Sequence, residues 1–103
     1  MEELLREGLK KLSGIEVAFI YGSYAAEEER GSSDIDVLVV GTPPKLELAR
    51  KLREIGEKVD RDINYVSYSK TSFQNLKKKH SSFIESVIKK PKIFLIGNKN
   101  DIG

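Results

Sequence analysis

The sequence contains no cysteine and a single histidine, His80. Without cysteine there are no disulfides and no thiolate metal ligands, which fits a reducing cytoplasm. One histidine cannot build a histidine-rich zinc site. An excess of one charge is also missing, because 18 basic residues against 16 acidic ones leave a formal net charge of +2. Whole-chain electrostatics therefore give no reason for tight binding to nucleic acid or membranes, and any attraction for anions must be local. Long apolar runs are absent too. Stretches such as VLVV at 37–40 are far too short to cross a bilayer. The N-terminus, MEELLREGLKKLSG, has Glu2 and Glu3 where a signal peptide is basic. A cytoplasmic protein is expected.

What is present suits a globular chain. With 103 residues, 39% hydrophobic and 33% charged, one domain over 1–103 with a modest core is expected. Leu4, Leu5, Leu9 and Leu12 recur at helical spacing before Ser13-Gly14, so 2–13 predicts an amphipathic helix. IEVAFIY at 15–21 reads as a strand. Ser23 can cap a short helical turn through Ala25, Ala26 and the acids Glu27 to Glu29, broken by Gly31-Ser32-Ser33. IDVLVV at 35–40 is a second strand, apolar after Asp36 as for a strand covered on both faces.

Leu46, Ala49, Leu52, Ile55 and Val59 predict a helix over 44–58. DINYVSY at 62–68 is a third strand. Ser69 or Thr71 caps a helix carrying Phe73 and Leu76, and SFIESVIKK follows as another with Phe83, Val87 and Ile88 inward. IFLI at 93–96 is a last strand, and 98–103 reads as a fraying polar tail. The order implies an α/β (α+β) fold on a mixed sheet of about four strands flanked by helices.

Chemistry concentrates in YGSYAAEEERGSSDID at 21–36. Strand side chains alternate, so Asp34 and Asp36 point the same way, roughly 7 Å apart along the backbone. Two like charges so placed favour a cation between them. Mg²⁺ suits them, since it takes oxygen ligands and keeps waters and substrate phosphates in its remaining positions. If the first two strands are antiparallel neighbours, Gly22 and Ser23 lie beside these acids. Gly22 then allows close backbone approach, and the Ser23 hydroxyl and nearby N–H groups can meet phosphate. A two-metal phosphoryl transfer calls for a third carboxylate. Asp62 is the candidate, because a right-handed crossover would make the third strand parallel to the second and start it at the same sheet end. Asp60 is the alternative.

Gly22-Ser23, ten residues, then Asp34-Ile35-Asp36 resembles the signature of the nucleotidyltransferase superfamily related to DNA polymerase beta, and the chain resembles its minimal nucleotidyltransferase (MNT) branch. RDINYVSYS at 61–69 is similar to the strand that carries the third acid, and SSFIESVIKKPKIFLIGNKNDI to the family's C-terminal helix and strand. The resemblance implies a polymerase beta-like fold, binding of an NTP with two Mg²⁺ ions, and transfer of a nucleoside monophosphate to a hydroxyl. It implies that Gly22 and Ser23 hold the triphosphate, that Asp34 and Asp36 bind both metals, and that Asp62 completes the acceptor-side metal and helps deprotonate the nucleophile. Because small members adenylylate a HEPN-type toxin on tyrosine, it also implies ATP as donor, a HEPN partner and an antitoxin role. A degenerate transferase that neutralises its partner by docking is the alternative. Relatives carry a basic residue and a glycine where this chain has Ala26 and Glu27; Arg30, Lys45 or Arg61 are candidates to supply that charge.

Other features have plainer readings. Tyr21, Tyr24, Tyr65 and Tyr68 suit strand packing, with Tyr24 the one placed to meet a nucleotide. The KKKH stretch at 77–80 suits a solvated helix C-terminus, so nucleic acid is not expected as a partner. A homo-oligomer that completes the acceptor site is compatible with so small a chain.

Overall fold

The computed structural model describes residues 1–26 and 34–102. The elements run α1 (Glu2–Lys10), β1 (Ile15–Tyr21), α2 (Gly22–Ala26), β2 (Ile35–Gly41), α3 (Lys45–Val59), β3 (Ile63–Tyr68), α4 (Lys70–Lys78), α5 (Ser82–Lys89), β4 (Ile93–Ile96) and a 3₁₀ turn at Lys99–Asp101. The strands form one mixed sheet in the order β3-β2-β1-β4. β1 is antiparallel to β2 and β4, while β2 and β3 are parallel across the crossover through α3. Both pairings expected around the acids are therefore present. Among the described residues no helix is long and apolar enough to cross a membrane.

Alternation along the central strands divides the core into two layers. Ala18, Ile20, Val37 and Val39 face Leu5 and Leu9 of α1 and Leu48, Leu52 and Ile55 of α3. Val17, Phe19, Leu38 and Val40 face Phe73 of α4 and Ile84 and Val87 of α5. β2 is buried on both faces, which is why it reads as an almost unbroken apolar run. Each fully buried aliphatic or aromatic side chain contributes about 1.5 to 3 kcal/mol. At the head of α4, Ser69 is the cap, its side chain accepting from the Ser72 N–H at 3.1 Å.

Three expectations are corrected. In α3 the inward stripe is Leu48, Leu52 and Ile55, and Leu46 is 76% exposed. A stripe containing Leu46 and one containing Leu48 share Leu52 and Ile55, so sequence period alone does not choose between them. In α5 Ile84 and Val87 are buried, whereas Phe83 remains 39% exposed at the sheet rim, its ring edge-on to Tyr21 at 5.9 Å.

The C-terminus does not fray through 102. Asn98 and Asp101 form a capping box around the 3₁₀ turn, Ile102 is buried in the α4–α5 layer, and Lys77 Nζ donates to its carbonyl. Truncating Ile102 to Ala is expected to cost about 2 to 3 kcal/mol in urea unfolding. A midpoint identical to wild type would show that this end contributes nothing to the core.

Candidate functional site

The sheet register brings the acids together. Tyr21 pairs with Asp36 across β1 and β2, and Asp36 with Asn64 across β2 and β3. One residue earlier Ile35 pairs with Ile63, and the Ile35 N–H donates to the Asp62 carbonyl at 3.0 Å. Asp34 and Asp62 thus enter neighbouring parallel strands side by side, at a strand spacing of about 4.8 Å. Asp36 shares its face with Leu38 and Val40, toward α4 and α5. Asp34 and Asp62 are exposed and Asp36 is half-buried.

Gly22 fits against this group through its missing side chain. Its φ of +77° is in the left-handed region, and a Cβ there would lie 2.8 Å from Asp36 Oδ2. The end of β1 can turn into α2 with the Asp36 carboxylate directly beside its backbone only because residue 22 is glycine. α2 begins at Gly22, so Ser23 is its second residue, two beyond the cap position, and its side chain lies outside the described residues.

Asn64 is a residue that sequence reasoning missed. Its Nδ2 donates to Asp34 Oδ2 at 3.3 Å while it stands laterally opposite Asp36, so one neutral amide adjoins both acids. The signal was available: Asn64 lies two residues beyond Asp62, on the same strand face. Tyr21, which sequence pattern assigns to strand packing, also stands opposite Asp36 in the register. Burial first, then the charge of Asp36 and that of Tyr68, pushes its phenol above the ordinary tyrosine range, which keeps it protonated beside the carboxylate.

Tyr24 sits on the other side, packed with the α1–α3 layer. Its hydroxyl donates to Glu2 Oε2 at 2.8 Å, and the Arg61 guanidinium carbon stands 5.4 Å from its ring centroid. Burial and then the Glu2 hydrogen bond raise its phenol pKa. In this arrangement Tyr24 links α2 to α1 and to the residue just before Asp62.

Among the cations offered in place of the family's basic residue, Lys45 is at the wrong end of the sheet. It opens α3 after the C-terminus of β2, whereas the acids stand at the N-terminus of β2. Arg61 is at the acid end. Arg30, the Glu27 to Glu29 run and Gly31 to Ser33 lie outside the described residues, as does the side chain of Ala26. Asp60 is the left-handed cap of α3, at φ 55°, and so does not precede Asp62 on a strand. The basic residues of the KKKH stretch occupy the last turn of α4 and beyond, with His80 Nδ1 2.8 Å from Glu85 Oε2.

The donor set suits a hard cation, being carboxylate oxygen throughout, with the Gly22 side of Asp36 left open by the missing Cβ. Among the described residues no three His, Cys, Asp or Glu side chains are gathered closely enough to hold an ion by themselves. Oxygens from a nucleotide and water would have to complete the coordination, as is usual for Mg²⁺.

This element order and this mixed sheet are those of the polymerase beta-like nucleotidyltransferase fold. Residues 3–100 match the family model described as "Polymerase beta, Nucleotidyltransferase", and the chain belongs to that family. A Methanocaldococcus jannaschii protein named "Putative protein adenylyltransferase" is 35% identical over 68 residues, 64% of this chain and 67% of that relative. Among solved structures, a toxin–antitoxin crystal structure with AMP-PNP superposes with a TM-score of 0.70 at 18% identity, covering 98% of this chain and 77% of that one. A tri-AMPylated Shewanella oneidensis HEPN toxin in complex with MNT antitoxin gives a TM-score of 0.56 at 18% identity, covering 98% and 76%. At such identities these two likenesses concern the fold.

Proposed function

We propose that this chain, as one domain over 1–103, is a Mg²⁺-dependent nucleotidyltransferase that transfers AMP from ATP to a hydroxyl, that of a tyrosine on a HEPN-type partner protein. The observation that carries the reading is the meeting of Gly22, Asp34, Asp36 and Asp62 at one end of the sheet. The names of the relatives support the finer reading: an adenylyltransferase in one case and an AMPylated HEPN toxin held by an MNT antitoxin in another.

In the reaction proposed, the acceptor oxygen forms a bond to the α-phosphorus of ATP. The bond from that phosphorus to the oxygen bridging the β-phosphate breaks, and pyrophosphate leaves. Two bound Mg²⁺ ions would neutralise the triphosphate and favour the ionised acceptor oxygen. Asp34 and Asp36 would hold both ions, and Asp62 the acceptor-side one. Asp62, exposed at the head of β3, takes up the hydroxyl proton. Gly22 and Ser23 give the triphosphate a close approach to the backbone. Asn64 holds the Asp34 carboxylate toward its neighbours, so Asn64→Ala is expected to lower transfer about tenfold, the loss of one charge-assisted hydrogen bond. It should also raise the Mg²⁺ concentration for half-maximal rate. An unchanged Mg²⁺ profile would remove Asn64 from this role.

The test of the reaction is transfer of label from α-³²P ATP to a copurified partner, with release of pyrophosphate. Wild-type protein that labels nothing while still neutralising its partner, and whose Asp34→Asn and Asp36→Asn variants neutralise equally well, would favour the second reading, a binding antitoxin. That reading draws on Ala26 and Glu27 standing where relatives carry a basic residue and a glycine.

A further inference from the structure

A cleft of about 750 Å³ runs between α3 and the outer edge of β3. Its floor includes Ala49 and Leu52 of α3, Arg53 stands on its α3 side, and Tyr65 of β3 lies opposite. At one end it is lined by Asp34 and Asp62, so it opens onto the candidate site.

β3 is an outer strand of the sheet, with Tyr65 39% exposed. The Ile35 N–H bonds to the carbonyl of Asp62, and a parallel ladder then turns the main-chain groups of Asn64, Val66 and Tyr68 toward β2. Those of Ile63, Tyr65 and Ser67 point outward. An edge of this kind is a template for another strand, and a strand edge roofed by a helix is a common seat for an extended peptide. The floor is apolar and the rim charged, and the polar end carries the acids.

We propose that this cleft is the acceptor-binding groove: an extended segment of the acceptor polypeptide adds to β3 as a fifth strand, and its hydroxyl side chain reaches Asp34 and Asp62 at the groove's end. The assignment of the hydroxyl rests on the transferase reading; the seating of the strand rests on the edge itself. A polypeptide is favoured over a small acceptor because the groove continues along β3 beyond the acids and offers outward main-chain donors and acceptors at alternate residues. A small hydroxyl compound would use none of these.

The experiment measures binding and transfer separately. A fluorescein-labelled random copolymer of Glu, Ala, Lys and Tyr is titrated with the full chain without ATP and followed by anisotropy, while amide exchange is read by NMR. Slowed exchange at Tyr65 and Ser67 is expected on adding copolymer. At least tenfold weaker binding is expected for Tyr65→Pro, which deletes an outward N–H and leaves the β2 ladder intact. Should that variant melt early, Ala49→Trp, which fills the groove from α3, carries the same expectation. Copolymer that fails to bind, or binds both variants as well as wild type, overturns the groove, as does protection at Tyr65 and Ser67 that arises from self-association without copolymer. AMP transfer to the copolymer with no protection on β3 overturns the groove while leaving the transferase standing. Protection on β3 with no AMP transfer by wild type supports the groove and counts against the transferase.

Discussion

Asp36→Asn is expected to lower AMP transfer by a factor on the order of 10² to 10³ or more, the range for removing one group placed to stabilise transition-state charge. The substitution keeps size and shape, so its thermal midpoint should stay near wild type. Asp36 is the half-buried acid of the three and the one fixed by register between Tyr21 and Asn64. An amide in its place has one oxygen and no charge to offer a cation. The check is the initial rate of ³²P transfer at saturating Mg²⁺ and ATP, beside a melting curve. A variant within tenfold of wild type in rate would take Asp36 out of the reaction. Asp34→Asn is expected to follow it, with a smaller added effect in the double variant because two ligands of one centre do not act independently.

The second large effect concerns a residue with no side chain. Gly22→Ala combines two faults. An L-residue at φ +77° costs about 1 to 2 kcal/mol, and the new methyl would lie 2.8 Å from Asp36 Oδ2, closer than carbon and oxygen pack. The carboxylate must then swing away, so transfer should fall at least as far as in Asp36→Asn while stability falls as well. The two faults can be separated. In an Asp36→Asn background the same Gly22→Ala change should cost stability but little further activity, because the carboxylate it displaces is already gone. If activity fell by the full factor again, Gly22 would be acting on the triphosphate alone and its contact with Asp36 would be incidental.

Much of this was legible in the sequence because it depends on short-range periodicity. β1, β2 and β4 follow from β-branched and aromatic runs, and the pairing of Asp34 with Asp36 on one face follows from the two-residue period of a strand. That β3 runs parallel to β2, should the two pair, follows from the helical crossover between them. These features are set by backbone stereochemistry and need no knowledge of the rest of the molecule.

Other features were decided only in three dimensions. The helical stripe that faces inward in α3 was set by which face α1 and the sheet covered, leaving Leu46 outside and Leu48 in. Phe83 stayed at the rim because Ile84 and Val87 met the sheet first. Lys45 was removed from the site by the length of α3, which separates the two sheet ends by about 22 Å at 1.5 Å per residue. Ile102 found its place in a layer built by α4 and α5, so a polar tail became part of the core. Asn64 joined the acids through a register between strands 28 positions apart, Asp36 to Asn64.

The sequence alone determined which residues could carry the chemistry and on which side of a strand they stand, because alternation is a property of each strand by itself. Only the tertiary structure decided which strand ends meet, and therefore that Gly22, Asp34, Asp36 and Asp62 gather at one sheet end while Tyr24 turns to Glu2 and Arg61. Pairing between strands depends on hydrogen bonds and packing among residues far apart in the chain.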